Sequence, residues 1–244
     1  MPGGQARGRR VSKKFKNKLC AYCGERSETG DHVIARAFFP EKLRTGLPQV
    51  PACFRCNGLK SDLETYLAAV LPVAGNHAIT EDLREHVGRR IAKNAKLSRE
   101  IVEGFEKRCS VSKPNAHATD FRGQVLLDYA AYVGKGLLLH HFGTVLTQDY
   151  EARGLAIDAA GQRAFNDMFS QLRQVTKFVE GIHANGALTY RGFAAAEDSC
   201  VSSWQVRLYG GLNMGVSSSN YQQGRFDFAA MTIRKEGYTA EHEP

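Results

Sequence analysis

Two cysteine pairs, Cys20-Ala21-Tyr22-Cys23 and Cys53-Phe54-Arg55-Cys56, bracket an Asp31-His32 dipeptide, and Asn57 follows the last cysteine directly. Each C-x-x-C places two thiolates at the bite of one small cation, and two such pairs complete the tetrahedral four-sulfur shell that zinc takes. Cys20, Cys23, Cys53 and Cys56 are therefore expected to form one structural Zn²⁺ site. Hydrolysis of a phosphodiester needs a water nucleophile, a base to take its proton, and a cation to hold the scissile phosphate and the leaving oxygen. Histidine is the natural base near neutral pH, which makes His32 the candidate. Asp31 and Asn57 offer a carboxylate and a neutral amide oxygen, hard ligands suited to one Mg²⁺ or Mn²⁺.

Those residues need elements to hold them. Gln49-Val50-Pro51-Ala52 can form a short strand. The segment from about Phe54 to Leu71 has Leu59, Leu63, Leu67, Val70 and Leu71 at helical spacing, which puts Asn57 and Ser61 on one face near its start. Gly30-Asp31-His32-Val33-Ile34 sets the dipeptide just ahead of an apolar run. Successive residues of an extended strand face opposite sides, so at a strand end Asp31 and His32 can diverge toward metal and water. Leu71-Pro72, with Gly75-Asn76 close behind, marks the end of this module.

The stretch from Cys20 to Asp62 resembles the HNH endonuclease family, and the matching text is Cys20-x-x-Cys23, Gly30-Asp31-His32-Val33-Ile34 and Cys53-x-x-Cys56-Asn57-x-x-Lys60-Ser61. In that family a ββα-metal finger has one strand ending in Asp-His, a second leading to a cysteine pair, and a helix opening with Asn or His. The resemblance implies that His32 is the general base, Asp31 and Asn57 the ligands of the catalytic cation, and the cysteines the shell of a separate structural zinc. Two departures stand out. Many members carry an asparagine in the second strand that fixes the histidine ring; here that segment is Leu47-Pro48-Gln49-Val50-Pro51, so Gln49 or a backbone carbonyl would orient His32. Ser61 stands where all-histidine members place a further ligand, so water and substrate oxygens would complete the shell. The rest of the chain, around Gly134-Lys135-Gly136-Leu137 and from Trp204 to Gly210, has a weaker likeness to larger bacterial or phage HNH proteins.

The chain carries 33 Lys and Arg against 25 Asp and Glu, a net charge of +8. Arg7, Arg9, Arg10, Lys13, Lys14, Lys16 and Lys18 follow one another with no acidic residue between them. Such a run is too polar to bury, and residues 1–18 are expected to be a flexible basic arm, with Arg9, Arg10, Lys13 and Lys14 attracting phosphates. Lys60 near the helix start and Arg55 between two cysteines are placed to reach a phosphate, or merely to solvate the helix.

Residues 73–244 are expected to form an α+β domain, with helices over about 80–178 and antiparallel strands over about 185–235. Thr80-Glu81-Asp82 opens a helix with Leu83, Val87 and Ile91 inside and Arg84, Arg89, Arg90, Lys93 and Lys96 outside, a solvated face or a nucleic-acid contact. Ser110 to Ala118 reads as loop, Val125 to Val145 as a buried helix ending in His140-His141, and about Ala160 to Phe178 as another helix. Residues 187–193, 204–216 and 226–233 alternate with period two, and Gly210-Gly211 marks a bulge or bend. The fold class expected is thus α+β, a zinc-stabilised ββα-metal module at residues 19–72 followed by a mixed helical and antiparallel β domain. No apolar stretch approaches the roughly 20 residues of a membrane span, no signal-peptide core opens the chain, and Cys109 and Cys200 lack a local partner, a reduced, cytoplasmic pattern. The functional expectation is a metal-dependent endonuclease acting on DNA, in phage defence or a mobile element, with the larger domain choosing the substrate or docking a protein partner. The alternative is a non-catalytic, zinc-stabilised module that binds DNA or RNA within a larger complex.

Overall fold

A computed structural model of the chain describes residues 13–95, 97–99, 122–172, 177–213 and 225–236. Two short antiparallel strands, β1 (Thr29–His32) and β2 (Gln49–Ala52), lead into the long helix α1 (Phe54–Ala74). Between the strands, residues 33–48 form two 3-10 turns whose Phe38 and Phe39 point into the core. Helix α2 (Ile79–Lys93) folds back along α1. Arg84, expected on the basic outer face, instead donates to the Pro72 carbonyl and to the Gly75 carbonyl, each at 2.9 Å. The last carbonyls of a helix lack intrahelical donors, and this guanidinium supplies them.

Helix α3 (Gly123–Phe142) lies at the centre, and on one side it supports the β1-β2-α1 unit. Tyr129 accepts from the Ala35 N–H at 3.1 Å and packs edge-on against Phe38. Gly136 sits so close to Val33 that a Cβ there would lie 2.8 Å from Cγ1, so only glycine lets helix and hairpin meet. On its other side α3 covers a sheet of order β3-β8-β6-β5-β4, with all pairs antiparallel: β3 (Tyr150–Ile157), β4 (Lys177–His183), β5 (Leu188–Ala194), β6 (Ser202–Leu208) and β8 (Arg225–Arg234). A two-residue strand, β7 (Leu212–Asn213), pairs with the start of β8. Helix α4 (Ala159–Leu172) takes the opposite face of the sheet, where Phe169 meets Phe178 and Phe193. One continuous cluster of buried side chains runs from Cys20 through α3 to Ala230.

Several expectations change. Residues 13–18, expected within a flexible basic arm, belong to the fold: Phe15 is buried, packs on Gly30, and its carbonyl accepts from Ser27 Oγ at 2.5 Å, while residues 1–12 lie outside the described residues. The block expected to be helical to 178 contains β3, and its last helix ends at Leu172, with Lys177 and Phe178 already in β4. In β3 the residues facing α3 include Ala152 and Gly154, kept small because Leu127 of α3 approaches at Gly154. Small residues hide the alternation that reveals a strand. The run from Trp204 to Val216 breaks at Tyr209-Gly210-Gly211, whose φ angles are 54°, 74° and 95°. The loop expected at Ser110 to Ala118, and Cys109, lie outside the described residues.

His141 ends α3 against the sheet, stacked on Trp204 and 3.0 Å from the Tyr190 hydroxyl, which His183 approaches from the other side. Burial, with the neighbouring charges of His140 and His183, pushes its pKa down to about 4 from an ordinary 6.5. The unfolded chain therefore binds this proton more readily than the native one, so the stability it protects is complete above pH 6.5 and is lost as pH falls toward 4. Thermal unfolding between pH 7 and 4.5 is expected to show a decline in Tm that is shallower in His141→Gln than in the wild type; equal slopes would contradict the assignment.

Candidate functional site

The first cysteine pair sits in a tight knuckle: Cys20 N–H donates to the Glu25 carbonyl at 2.7 Å and Gly24 N–H to the Cys20 carbonyl at 2.9 Å. Ala21 N–H bonds the Pro51 carbonyl at 2.9 Å, which fastens the knuckle to β2. The second pair opens α1, with Cys53 as its N-cap; Cys53 Sγ accepts from the Cys56 N–H at 3.3 Å, and Glu28 accepts from the Phe54 N–H at 3.0 Å. A carboxylate at that end is favoured by the helix dipole. The two loops bring all four sulfurs within 4.8 Å of one another, and Cys23 Sγ lies 3.7 Å from Cys53 Sγ. Zinc–sulfur bonds of about 2.3 Å in a tetrahedron place sulfurs about 3.8 Å apart, so the donor set and its spacing fit a four-coordinate metal ion. Burial pushes the Cys20 thiol up to about 11 and also raises Cys56, whereas at Cys53 burial is outweighed by hydrogen bonds from its neighbours, which lower that thiol; a cation among the sulfurs would favour the thiolate at each. Lys135 of α3 donates to the Tyr22 carbonyl at 3.2 Å, and its charge lies near the sulfurs of Cys56, Cys23 and Cys20.

Asp31 and His32 leave β1 on opposite faces, as the strand dictates. Asp31 points inward. Its Oδ2 accepts from the Tyr22 hydroxyl at 2.5 Å and pairs with Lys60 Nζ at 2.9 Å, whereas Oδ1 has no partner among the described residues. The Lys60 ammonium is 0 % exposed; it also donates to Glu64 and, at 2.8 Å, to the His32 carbonyl, beneath the Tyr129 ring. This corrects the expectation that Lys60 reaches a phosphate, because the ammonium is spent inside the protein. Leu59, expected on the apolar stripe, is the residue turned out, at 52 % exposure. The stripe is displaced because α1 presents Lys60 and Glu64 to Asp31 instead.

His32 lies on the more open face, half-buried, directly across the ladder from Gln49, whose amide is 2.7 Å from Nε2. An amide presents either its NH₂ or its oxygen after a half-turn, so this contact supports either imidazole tautomer. His140 at the end of α3 in turn touches the Gln49 carbonyl at 3.2 Å through Nδ1. Burial pushes the imidazole of His32 below its ordinary value, with the Arg36 charge adding to that and Asp31 opposing it, so the ring is neutral at pH 7. Asn57 is half-buried in the first turn of α1, its backbone N–H bonded to the Cys53 carbonyl and its side chain without a partner among the described residues. Arg55 is exposed in the same turn. Lys13 and Lys14 are exposed, and Lys14 lies over the Phe15 ring; Arg9 and Arg10 lie outside the described residues.

The described residues thus define an α+β protein with a four-cysteine centre positioned to bind one metal ion. Comparison with protein-family models, with curated proteins and with solved structures finds no match to this chain. Among the described residues no helix is long and apolar enough to cross a membrane. Tyr22, Glu64, Lys135 and His140 carry parts of the site that sequence reasoning missed. Tyr22 and Lys135 did leave a trace: an aromatic residue inside a cysteine pair, and a cation between two glycines in an apolar helix.

Two outcomes follow from this geometry. Cys53→Ser is expected to unfold the β1-β2-α1 unit and lose the bound metal, since a structural zinc contributes on the order of 10 kcal/mol; metal analysis with circular dichroism checks both. Lys60→Met leaves Asp31 and Glu64 buried without their cation and is expected to cost about 3–5 kcal/mol in denaturant unfolding. An unchanged midpoint would show that the ammonium is not the partner that holds them.

Proposed function

We propose that the chain is a metal-dependent endonuclease that hydrolyses DNA phosphodiester bonds, with structural zinc in the four-cysteine centre. The observation that carries this reading is the juxtaposition on β1 of a fixed carboxylate with one uncommitted oxygen and a neutral, supported imidazole. Asp31 Oδ1 and the Asn57 side chain would hold Mg²⁺ or Mn²⁺, which supplies charge for the scissile phosphate and the leaving oxygen. Gln49, with its amide oxygen accepting Nε2–H, would leave the lone pair on Nδ1 of His32 to take a proton from water. The ring needs no deprotonation first, because burial already disfavours its charged form. Exposed Arg55, Lys13 and Lys14 supply phosphate attraction around the site, and their contribution weakens with salt.

One observation favours a second reading. Lys60 neutralises Asp31 from within, as it would in a carboxylate whose only task is to hold β1 to α1. In that case the module binds nucleic acid without cutting it. A plasmid-nicking assay with Mg²⁺ or Mn²⁺ separates the two. Wild-type protein is expected to nick supercoiled DNA, and His32→Ala to lose about 10²–10⁴ of the rate, the usual worth of a general base, with DNA retention and Tm unchanged. Equal inertness of both proteins across both cations would leave the binding module as the function.

A further inference from the structure

We propose that Tyr22 and Lys60 make Asp31 a one-oxygen ligand, and so set the preference of its site for a small octahedral cation over Ca²⁺. The inference rests on the reading of Asp31 as a cation ligand and deepens it. A carboxylate oxygen has two lone-pair directions. On Asp31 Oδ2 both are taken, one by the Tyr22 hydroxyl at 2.5 Å and one by the Lys60 ammonium at 2.9 Å. Among the described residues Oδ1 alone is left to a ligand.

Neither donor is free to turn away. The Lys60 ammonium is enclosed by Asp31, Glu64, the His32 carbonyl and the Tyr129 ring, with no exposed surface. Tyr22 is buried, its ring edge-on to Tyr132 at 5.0 Å and its carbonyl bonded by Lys135. It stands between Cys20 and Cys23, so the four-cysteine centre itself fixes where its hydroxyl points. At 2.5 Å from a carboxylate oxygen, which can only accept, that hydroxyl is the donor of the pair.

The consequence is chemical selectivity. Mg²⁺ takes near-ideal octahedral sites with one or two carboxylates and retained waters, whereas Ca²⁺ takes six to eight oxygens and readily accepts both oxygens of one carboxylate. An Asp31 confined to Oδ1 suits the first mode and denies the second. Releasing Oδ2 is expected to admit Ca²⁺.

The experiment uses the full chain loaded with Co²⁺ at the cysteines, whose thiolate absorption reports that centre, and Mn²⁺ as the probe of Asp31, read by its electron paramagnetic resonance. In the wild type a large excess of Ca²⁺ is expected to displace Mn²⁺ poorly. In Tyr22→Phe, which keeps the ring and removes the hydroxyl, the Ca²⁺ needed for half-displacement is expected to fall about 10-fold, the usual scale for a partner of a metal ligand. The cobalt absorption should be unchanged, and Tm should fall only by the worth of one buried hydrogen bond. Ready displacement in the wild type, or the same Ca²⁺ requirement in both proteins, overturns the inference. Wild-type protein that binds no Mn²⁺ overturns the cation reading of Asp31, and this inference with it.

Discussion

An ammonium taken wholly out of water must be repaid by several oxygens at once, and Lys60 is such a group. Its acceptors come from β1 (the Asp31 carboxylate and the His32 carbonyl) and from α1 itself (Glu64), so strand and helix have one relative position that satisfies it. Asp31 brings Tyr22 with it, and Tyr22 brings the cysteine knuckle. With both carboxylates ionised the cluster carries one negative charge in excess. Burial pushes Glu64 upward against the pull of Lys60, so the carboxylate that holds a proton more readily in this cluster is Glu64.

Helix α3 extends this constraint to the rest of the molecule. One flank carries Tyr129, Lys135 and Gly136, which meet Ala35, Tyr22 and Val33; the other carries Gly134 against Ala230, while His141 lies on Trp204. The small domain could not fill α3 alone, and the sheet could not cover its own apolar face alone. Burying both sides of one helix gives a single core rather than two half-cores joined by a linker.

The cysteine geometry, the β2-α1 passage and the opposition of Asp31 to His32 were legible because they follow from local spacing and strand parity. Gln49 beside His32 was one of two expectations drawn from the family resemblance, a backbone carbonyl being the other, and the strand register pairs the two residues. What the sequence concealed was set by distant contacts. Lys60 reads as a surface residue until Asp31 and Glu64 are seen to enclose it. Strand β3 reads as nothing because Gly154 and its small neighbours are shaped by α3 rather than by their own pattern. Arg84 reads as one of a basic stripe, although its partners are the carbonyls at the end of α1.

The turn at Tyr209 links the far end of the chain to the loop beside the site. Its hydroxyl donates to the Phe38 carbonyl at 2.6 Å, its N–H to the Ala187 carbonyl, and its carbonyl accepts from the Asn76 N–H. Phe38 lies in the segment between β1 and β2, so that loop takes a hydrogen bond from a residue synthesised 171 positions after it. A chain still emerging from the ribosome therefore completes the loop next to His32 only after β5 and β6 have been made. Order of manufacture thus leaves that loop one hydrogen bond short until the turn after β6 exists.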